Sequence, residues 1–285
     1  MTKHIVVYHA NCADGFGAAW AAYKALPEGT EYVAANYGEA PPDVTGKFVH
    51  ILDFSYSLDV MKSIWQRCRA LAWLDHHKTA RETAQQFLAW LDTVNVADDY
   101  RPVHVEFDDD RSGAGLAWDY YCPGSQRPLM IDLIEDRDLW RFSFGMTKPF
   151  ALALRSEEMT FASWDYIHQH TQDFIARGLA MQNYYDRQLH EALIATMHRV
   201  RLIGTNEEGL AANLPPMFAS DAGNIMAKDS GTFGLSYYLT GSGQYACSLR
   251  SIGDYDVSEI AKRFGGGGHK NAAGFSCGTP VWVRL

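Results

Sequence analysis

A short apolar run ends abruptly in one carboxylate and two imidazoles, at Asp75, His76 and His77. The run before them, Ala70–Leu74, is bounded by polar residues and is typical of a buried strand in a parallel sheet. Open sheets of that kind bind ligands at the carboxyl ends of their strands. Imidazole is a common metal ligand, and a neighbouring carboxylate can select its tautomer. The triplet therefore predicts a metal site, against the plainer interpretation of a polar surface loop.

Two earlier apolar runs end in similar groups. The first run of the chain leads into a turn that holds His9, Cys12 and Asp14, and the run Phe48–Leu52 is followed by Asp53. Taken alone, Asp14 is as well explained as a helix cap. Because the carboxyl ends of parallel strands converge on one edge of a sheet, the three strand ends together predict one shared site for hard metal ions.

Two more carboxylates, Asp136 and Asp138, stand at the acidic end of an apolar helix predicted from Leu129 to Trp140. They are further candidate ligands for the same kind of ion. The acidic run 108–110 could also hold a cation, although a solvated loop is the commoner use of such a run.

A run of glycines near the other end of the chain, at 265–268, leads directly into His269 and Lys270. Glycine lets the backbone approach a ligand closely, and a helix start after the run would offer free N–H groups to an anion. Arg250, at the end of a predicted strand, is a candidate partner for a phosphate. We therefore interpret this stretch as a phosphate-binding loop, with a flexible linker as the alternative.

The elements that must position these residues alternate between strands and helices, which predicts an α/β fold with a parallel N-terminal sheet. A helical period is sustained from about residue 163 to 200. The pattern of the residues after 200 predicts strands and one capped helix. We expect a catalytic domain over 1–162, a linking helix over 163–200 and a smaller α/β domain over 201–285.

The composition of the chain argues against some classes of function. The net charge of −9 argues against a protein that holds long nucleic acid by bulk electrostatics, but not against a small phosphorylated substrate. Five scattered cysteines without a CxxC pair are typical of a reduced, cytoplasmic protein. We expect neither a signal peptide nor a membrane span, and therefore no membrane partner.

The ordered motifs resemble the DHH phosphoesterase superfamily with its C-terminal DHHA1 domain. They comprise His9–Asp14, Asp53, the triplet at 75–77, Asp136, and Gly266–His269 with the Ala-Ala-Gly that follows. The resemblance covers nearly the whole chain and implies an N-terminal parallel-sheet DHH domain joined by a long helix to the DHHA1 domain. It also implies a metal-dependent phosphoesterase of the oligoribonuclease or RecJ-like type.

The resemblance also implies roles for individual residues around two divalent ions, with Mn²⁺ the first choice and Mg²⁺, Co²⁺ or Zn²⁺ the alternatives. Asp53 would bridge both ions, His9 would serve one, and a second set would complete the other: Asp14, His76 and Asp136, with Asp138 in reserve. Asp75 would orient the catalytic histidine pair. The substrate-binding residues would be His77, Arg250, Gly266, Gly267, Gly268 and His269.

One position departs from the family pattern. Members commonly carry two aspartates in the first motif, separated by one residue, and Cys12 stands here in place of the earlier one. A thiolate suits Zn²⁺ better than Mn²⁺. We expect Cys12 not to be a strong ligand, so the identity of the ion near His9 stays open.

The function expected is hydrolysis of short oligonucleotides or nucleotide phosphates. Phosphoadenosine phosphate and linear or cyclic dinucleotides fall within that class. Inorganic polyphosphate hydrolysis and non-catalytic nucleotide binding are the alternatives. A homodimer is left open.

Overall fold

The first sheet consists of five parallel strands. The computed structural model describes residues 3–94 and 101–285, apart from the side chain of Thr79. The strands, in chain order, are β1 His4–His9, β2 Glu31–Ala35, β3 Phe48–Leu52, β4 Ala70–Asp75 and β5 Val103–Phe107. They are arranged in the order β2-β1-β3-β4-β5, and each adjacent pair is parallel. The parallel N-terminal sheet expected from the sequence is therefore confirmed.

Helices cover both faces of this sheet, as a doubly buried parallel sheet requires. They are α1 Ala13–Ala25, α2 Leu58–Arg67, α3 Lys78–Leu91, α4 Gly113–Tyr121, α5 Leu129–Asp138, α6 Thr147–Leu154 and α7 Phe161–Gln169. One core, around Trp20 and Trp164, joins α1 and α4–α7 to one face. The other core, around Trp73 and Phe87, joins α2 and α3 to the opposite face.

The predicted linking helix differs from the structure at both ends. Instead of one helix over 163–200, α7 ends at Gln169 and a longer helix, α8, runs over Thr171–Thr196. Strand β6, His198–Leu202, begins before the predicted helix would end. The chain divides into two compact units between Gln182 and Asn183, within α8. The predicted domain boundaries themselves stay a prediction.

The second unit is built on a mixed sheet of seven strands. After β6 come β7 Glu208–Asn213, α9 Ala219–Ser230, β8 Phe233–Leu239, β9 Tyr245–Ser251, α10 Val257–Arg263, β10 Gly267–His269, β11 Ala272–Cys277 and β12 Trp282–Arg284. The strand order is β10-β11-β9-β8-β7-β6-β12, and only the β7–β8 pair is parallel. Its core includes Leu235, Leu249 and Ile260.

Within the residues described, none of the helices is both long and apolar enough to cross a membrane.

Candidate metal centre

The residues predicted at the strand ends meet at the carboxyl edge of the first sheet. His9 ends β1, Asp53 follows β3 and Asp75 ends β4. Asp53 adopts a φ of 52°, in the left-handed region, and its N–H donates to the carbonyl of Leu74 at 2.9 Å. That conformation costs a non-glycine residue about 1 kcal/mol, although Asp tolerates it better than most residues. The turn ends β3 and places the Asp53 carboxylate among the side chains of the neighbouring strands.

Asp53 occupies the middle of the cluster. Its carboxylate oxygens lie 3.1 Å from Nε2 of His76, 3.7 Å from Nδ1 of His77 and 3.7 Å from Nδ1 of His9. The residue is only 1% exposed, yet neither oxygen has a hydrogen-bond partner, and neither has Nδ1 of His9. An unsatisfied buried carboxylate is costly unless it is compensated, and a coordinated cation is one such compensation.

Asp14 is fixed by the start of α4. The backbone N–H groups of Gly113 and Ala114 donate to its two carboxylate oxygens at 2.6 and 3.0 Å. A helix N-terminus stabilises a negative charge in this way. One of these oxygens also lies 3.6 Å from Nε2 of His76, so Asp14 does more than begin its own helix.

Asp138, rather than Asp136, reaches the cluster. An Asp138 oxygen lies 3.5 Å from Nε2 of His76. Asp136 instead accepts hydrogen bonds from the N–H groups of Ser143 at 2.8 Å and Phe144 at 3.3 Å, and from the hydroxyl of Thr147. The structure therefore does not bring Asp136 to the predicted site, and the reserve residue stands in its place.

Asp75 holds the histidine pair in position. One of its oxygens accepts from the N–H of His76 at 2.7 Å, from the N–H of His77 at 3.1 Å and from Nδ1 of His77 at 2.6 Å. The hydroxyl of Ser55 donates to the other oxygen. The contact with Nδ1 selects the tautomer of His77 that leaves Nε2 as an acceptor. Both oxygens of Asp75 are thus already engaged within the protein.

The three carboxylates around His76 dominate its protonation. Burial by itself would lower the pKa of His76, but the nearby carboxylates of Asp53, Asp14 and Asp138 outweigh it and raise the pKa to about 10. Burial, reinforced by Asp53 and Asp138, raises the pKa of Asp14 well above its usual range. Without a metal, the cluster therefore binds a proton on an imidazole that lies among carboxylates. A divalent cation would balance the same charges.

The donor atoms fall into three overlapping groups, and the atoms within each group lie within 4.8 Å of one another. The groups are Asp53, Asp75, His76 and His77; His9, Cys12 and Asp53; and Asp14, His76 and Asp138. Asp53 and His76 each belong to two groups. Together with the unsatisfied oxygens of Asp53, this arrangement fits the divalent ions that the resemblance implies.

Sequence reasoning missed several residues of this site. The N–H groups of Gly113 and Ala114, at the start of the helix that Ser112 caps, were not assigned. Tyr37 was also missed; its ring centroid lies 5.5 Å from that of His9 and 6.5 Å from that of His77. Its position two residues after β2, at the same edge of the sheet, was the available signal.

The glycine run forms a hairpin instead of the start of a helix. Gly267–His269 is strand β10, which pairs antiparallel with β11. A Cβ at Gly266 would collide with the backbone of Gly274 and Phe275, so the close approach of the two strands requires glycine. No helix follows the loop in residues 264–285, so the N–H groups of a helix start are not available there to an anion.

Arg250 and His269 lie in one row across three strands. His269 pairs with Ala272, and Ala272 pairs with Arg250, which places the three side chains on one face of the sheet. The Arg250 guanidinium donates to the carbonyl of Leu249 and to the hydroxyl of Ser220, both at 2.8 Å. A cavity of about 530 Å³ lies nearby; its lining includes Tyr238, Ser248, Gly266, Gly274 and Ser276, but neither Arg250 nor His269.

Comparisons with known proteins agree with this architecture. Residues 219–279 match the family model of the DHHA1 domain. Uncharacterized protein R106 of Acanthamoeba polyphaga mimivirus is 28% identical over 294 residues, which cover 95% of this chain and 67% of that protein. Oligoribonuclease NrnB of Bacillus subtilis (strain 168) is 26% identical over 228 residues, covering 73% of this chain and 53% of that one. The chain thus spans about half to two thirds of the length of these relatives.

A solved structure is similar in fold. It is PggH from Vibrio cholerae, described as a pGpG-specific phosphodiesterase, with a TM-score of 0.51 and 10% identity over 97% of this chain and 93% of that one. At that identity the likeness bears on the fold alone. The domain match and the relative NrnB confirm the resemblance to the DHH phosphoesterase superfamily.

Proposed function

We propose that this chain, whose residues 219–279 form a DHHA1 domain of the DHH phosphoesterase superfamily, hydrolyses phosphodiester bonds in short oligonucleotides or nucleotides with the help of two divalent metal ions. The observation that carries the proposal is the carboxylate of Asp53. It is buried, has no hydrogen bond, and lies between two groups of donor atoms.

Two ligand sets share Asp53 in this proposal. His9 and Asp53 serve one ion, and Asp14, His76 and Asp138 serve the other together with Asp53. When bound, paired divalent ions supply an activated water and neutralise the charge on the phosphoryl oxygens. Mn²⁺ suits the oxygen-rich set best, because carboxylates prefer hard cations.

The remaining residues position these ligands and the substrate. Asp75 and the N–H groups of α4 hold the histidines and Asp14 in place. Because Nδ1 of His77 is engaged by Asp75, its Nε2 is the nitrogen left for a substrate contact. Asp75 acts through the histidines and is a positioning residue in this scheme.

Several features support a short nucleic acid or nucleotide as the substrate. The net charge of −9 disfavours long nucleic acid, and the relative NrnB is named an oligoribonuclease. We assign substrate binding in the second unit to Arg250, His269 and the glycine hairpin, whose donors suit a phosphate. The five cysteines, all free thiols, support a reducing compartment such as the cytoplasm.

A hydrolysis screen in Mn²⁺ tests the proposal. It compares short RNA and DNA oligomers, phosphoadenosine phosphate, cyclic dinucleotides and inorganic polyphosphate. We expect turnover of a nucleotide substrate. In Asp53→Asn, kcat should fall by about three orders of magnitude, since a lost shared ligand removes several kcal/mol of charge stabilisation.

Asp173→Asn, which changes an exposed carboxylate on α8, is the matched control and should keep full activity. Hydrolysis of polyphosphate alone would move the function to that alternative class. Binding of nucleotides without any turnover would identify a non-catalytic protein, and undiminished activity in Asp53→Asn would rule out the shared-ligand assignment.

A further inference from the structure

Cys12 occupies a helix-capping position without capping the helix. It precedes α1 as the N-cap residue, with φ −122° and ψ 131°, and its side chain makes no hydrogen bond to the helix N–H groups. Ser, Thr, Asp and Asn are favoured at such positions because their oxygens accept those bonds. A thiol sulfur is only a weak acceptor for such N–H groups, so helix stability does not explain a cysteine here.

The thiol instead lies at the cluster. Its Sγ, a ring nitrogen of His9 and a carboxylate oxygen of Asp53 lie within 4.8 Å of one another. The preceding residue, Asn11, has a φ of 55°, in the left-handed region. This bend between β1 and α1 lies in the short segment that connects His9 to Cys12.

A second observation comes from the two neighbours of the thiol. Asp53 is 1% exposed and neither of its oxygens has a hydrogen-bond partner, while Nδ1 of His9 is buried and also lacks one. Three donor atoms of different elements (sulfur, nitrogen and oxygen) therefore lie around one point, and the two neighbours of the thiol are unsatisfied there. A bound ion would satisfy both.

We propose that Cys12 is a thiolate ligand to the ion held by His9 and Asp53, so that this half of the centre selects Zn²⁺ or Co²⁺ over Mn²⁺ and Mg²⁺. The inference rests on the proposed metal centre and revises the expectation that Cys12 is not a strong ligand. On binding, the S–H bond of Cys12 breaks, a sulfur–metal bond forms, and one proton passes to solvent. No electrons are transferred.

The two halves of the centre then differ in chemistry. The set of Asp14, His76 and Asp138 offers two carboxylates and one imidazole, which suit hard ions such as Mn²⁺ and Mg²⁺. The set of His9, Cys12 and Asp53 adds a soft sulfur, and thiolates favour Zn²⁺. The chain is therefore expected to bind two different ions when both kinds are supplied.

The test is a Co²⁺ titration of the full chain after chelator treatment. A thiolate bound to Co²⁺ absorbs in the near ultraviolet, so we expect this band to grow to one equivalent in the natural protein and to disappear in Cys12→Ser. Calorimetry of Zn²⁺ binding in two buffers of different ionisation enthalpy should show one more proton released by the natural protein than by Cys12→Ser, because any proton held by His76 is common to both. Cys12→Ser should bind Zn²⁺ at least about tenfold more weakly.

Two further variants complete the design. The sulfurs of Cys247 and Cys277 lie 4.0 Å apart in the second unit and could bind Co²⁺ by themselves, so Cys277→Ser is the control and should keep the Cys12 band. Cys12→Asp replaces sulfur by oxygen and should shift preference from Zn²⁺ to Mn²⁺, which keeps the test informative if the serine variant folds poorly.

Persistence of the band when Cys12→Ser is combined with Cys277→Ser, or its absence from the saturated natural protein, would overturn the inference. If phosphodiester hydrolysis nevertheless depends on metal and on Asp53, the proposed function stands without it. If the chain binds no metal at all, both this inference and the proposed function are contradicted.

Discussion

Two buried aspartates at neighbouring strand ends have opposite surroundings. Asp75 accepts three hydrogen bonds on one oxygen and one from Ser55 on the other. Asp53 accepts none, although histidine nitrogens approach it. A carboxylate engaged in this way orients its neighbours, whereas an unsatisfied one is suited to a cation. The difference distinguishes a positioning residue from a candidate ligand, even though both residues follow an apolar strand.

The residues Asp136 and Asp138 provide a matched pair of substitutions. Asp138→Asn removes a carboxylate from the cluster, so we expect metal affinity and hydrolysis to fall while the free energy of unfolding changes by less than about 1 kcal/mol. Asp136→Asn removes the charge that accepts from Ser143, Phe144 and Thr147, and should lower that free energy by about 2 kcal/mol. Urea unfolding and metal titration of both variants measure the two quantities. Metal loss confined to Asp136→Asn would contradict the assignment.

At the scale of elements, the start of α4 contacts two of the proposed metal ligands. Its first N–H groups bind Asp14, and its first residue, Gly113, packs directly against the side chain of Asp53. No larger residue fits at that point, because an added Cβ would overlap Asp53. The helix thus fixes two proposed ligands from different strand ends without contributing a side chain of its own.

Gly113→Ala should therefore weaken metal binding by displacing the backbone at the start of α4. We expect the start of α4 to shift away from Asp53 and metal affinity to fall at least about tenfold, as for other residues that hold ligands in place. Gly145→Ala is the matched control, since a Cβ there meets no atom within 4 Å. Metal titration of both variants is the measurement, and equal affinities would show that α4 does not position the site.

The central strand β3 carries a buried histidine away from the cluster. His50 contacts the hydroxyl of Tyr121 at 2.7 Å and Nδ1 of His4 at 3.1 Å. A neutral ring satisfies both contacts with one N–H. Burial, reinforced by His4, lowers the pKa of His50 to about 3. The unfolded chain therefore binds a proton at this position that the folded chain excludes between about pH 6.5 and pH 3.

This difference predicts how stability depends on pH. Because the folded pKa lies below the unfolded one, stability should fall as the pH drops below about 6.5, by about 2 kcal/mol between pH 7 and pH 5 from this residue. His50→Gln should lack that component, although it is less stable at pH 7. His190→Gln, which changes an exposed histidine, should keep it. Urea unfolding at both pH values would contradict the prediction if His50→Gln lost as much stability as the natural protein.

At the scale of the whole molecule, the chain divides its chemistry between two units. The candidate metal ligands lie in the unit that ends at Gln182, and the proposed phosphate-binding residues Arg250 and His269 lie in the other. The second unit's sheet places those two side chains on one face. Metal binding and substrate binding should therefore respond to different substitutions.

His269→Ala tests this division. We expect KM for the nucleotide substrate to rise at least about tenfold while the bound metal stays unchanged, because the ring lies outside every group of candidate metal ligands among the described residues. Lys262→Ala, on α10, removes a polar side chain from the same unit as a control and should leave KM unchanged. Steady-state kinetics and metal analysis measure both effects. Loss of metal in His269→Ala would contradict the division.

The sequence by itself determined the parallel sheet and most of the cluster. The alternation of strands and helices indicates a parallel sheet. The apolar runs that end in His9, Asp53 and Asp75 must then end at the same edge of that sheet. These assignments depend only on periodicity and on the convergence of parallel strand ends. The orienting role of Asp75 was instead implied by the family resemblance and stays a prediction, although the structure shows Asp75 accepting hydrogen bonds from both histidines.

Only the tertiary structure decided between Asp136 and Asp138, because two positions on a helix differ by about 200° in direction and nothing local selects one of them. It also decided that Gly267–His269 pairs with β11 instead of starting a helix, since a strand's partner lies outside its own segment. The placement of Cys12 beside His9 and Asp53 likewise depends on contacts between distant segments. The hydrophobic periodicity of a segment shows which side of the helix or strand is buried. Packing across the whole unit decides which neighbouring element that side contacts.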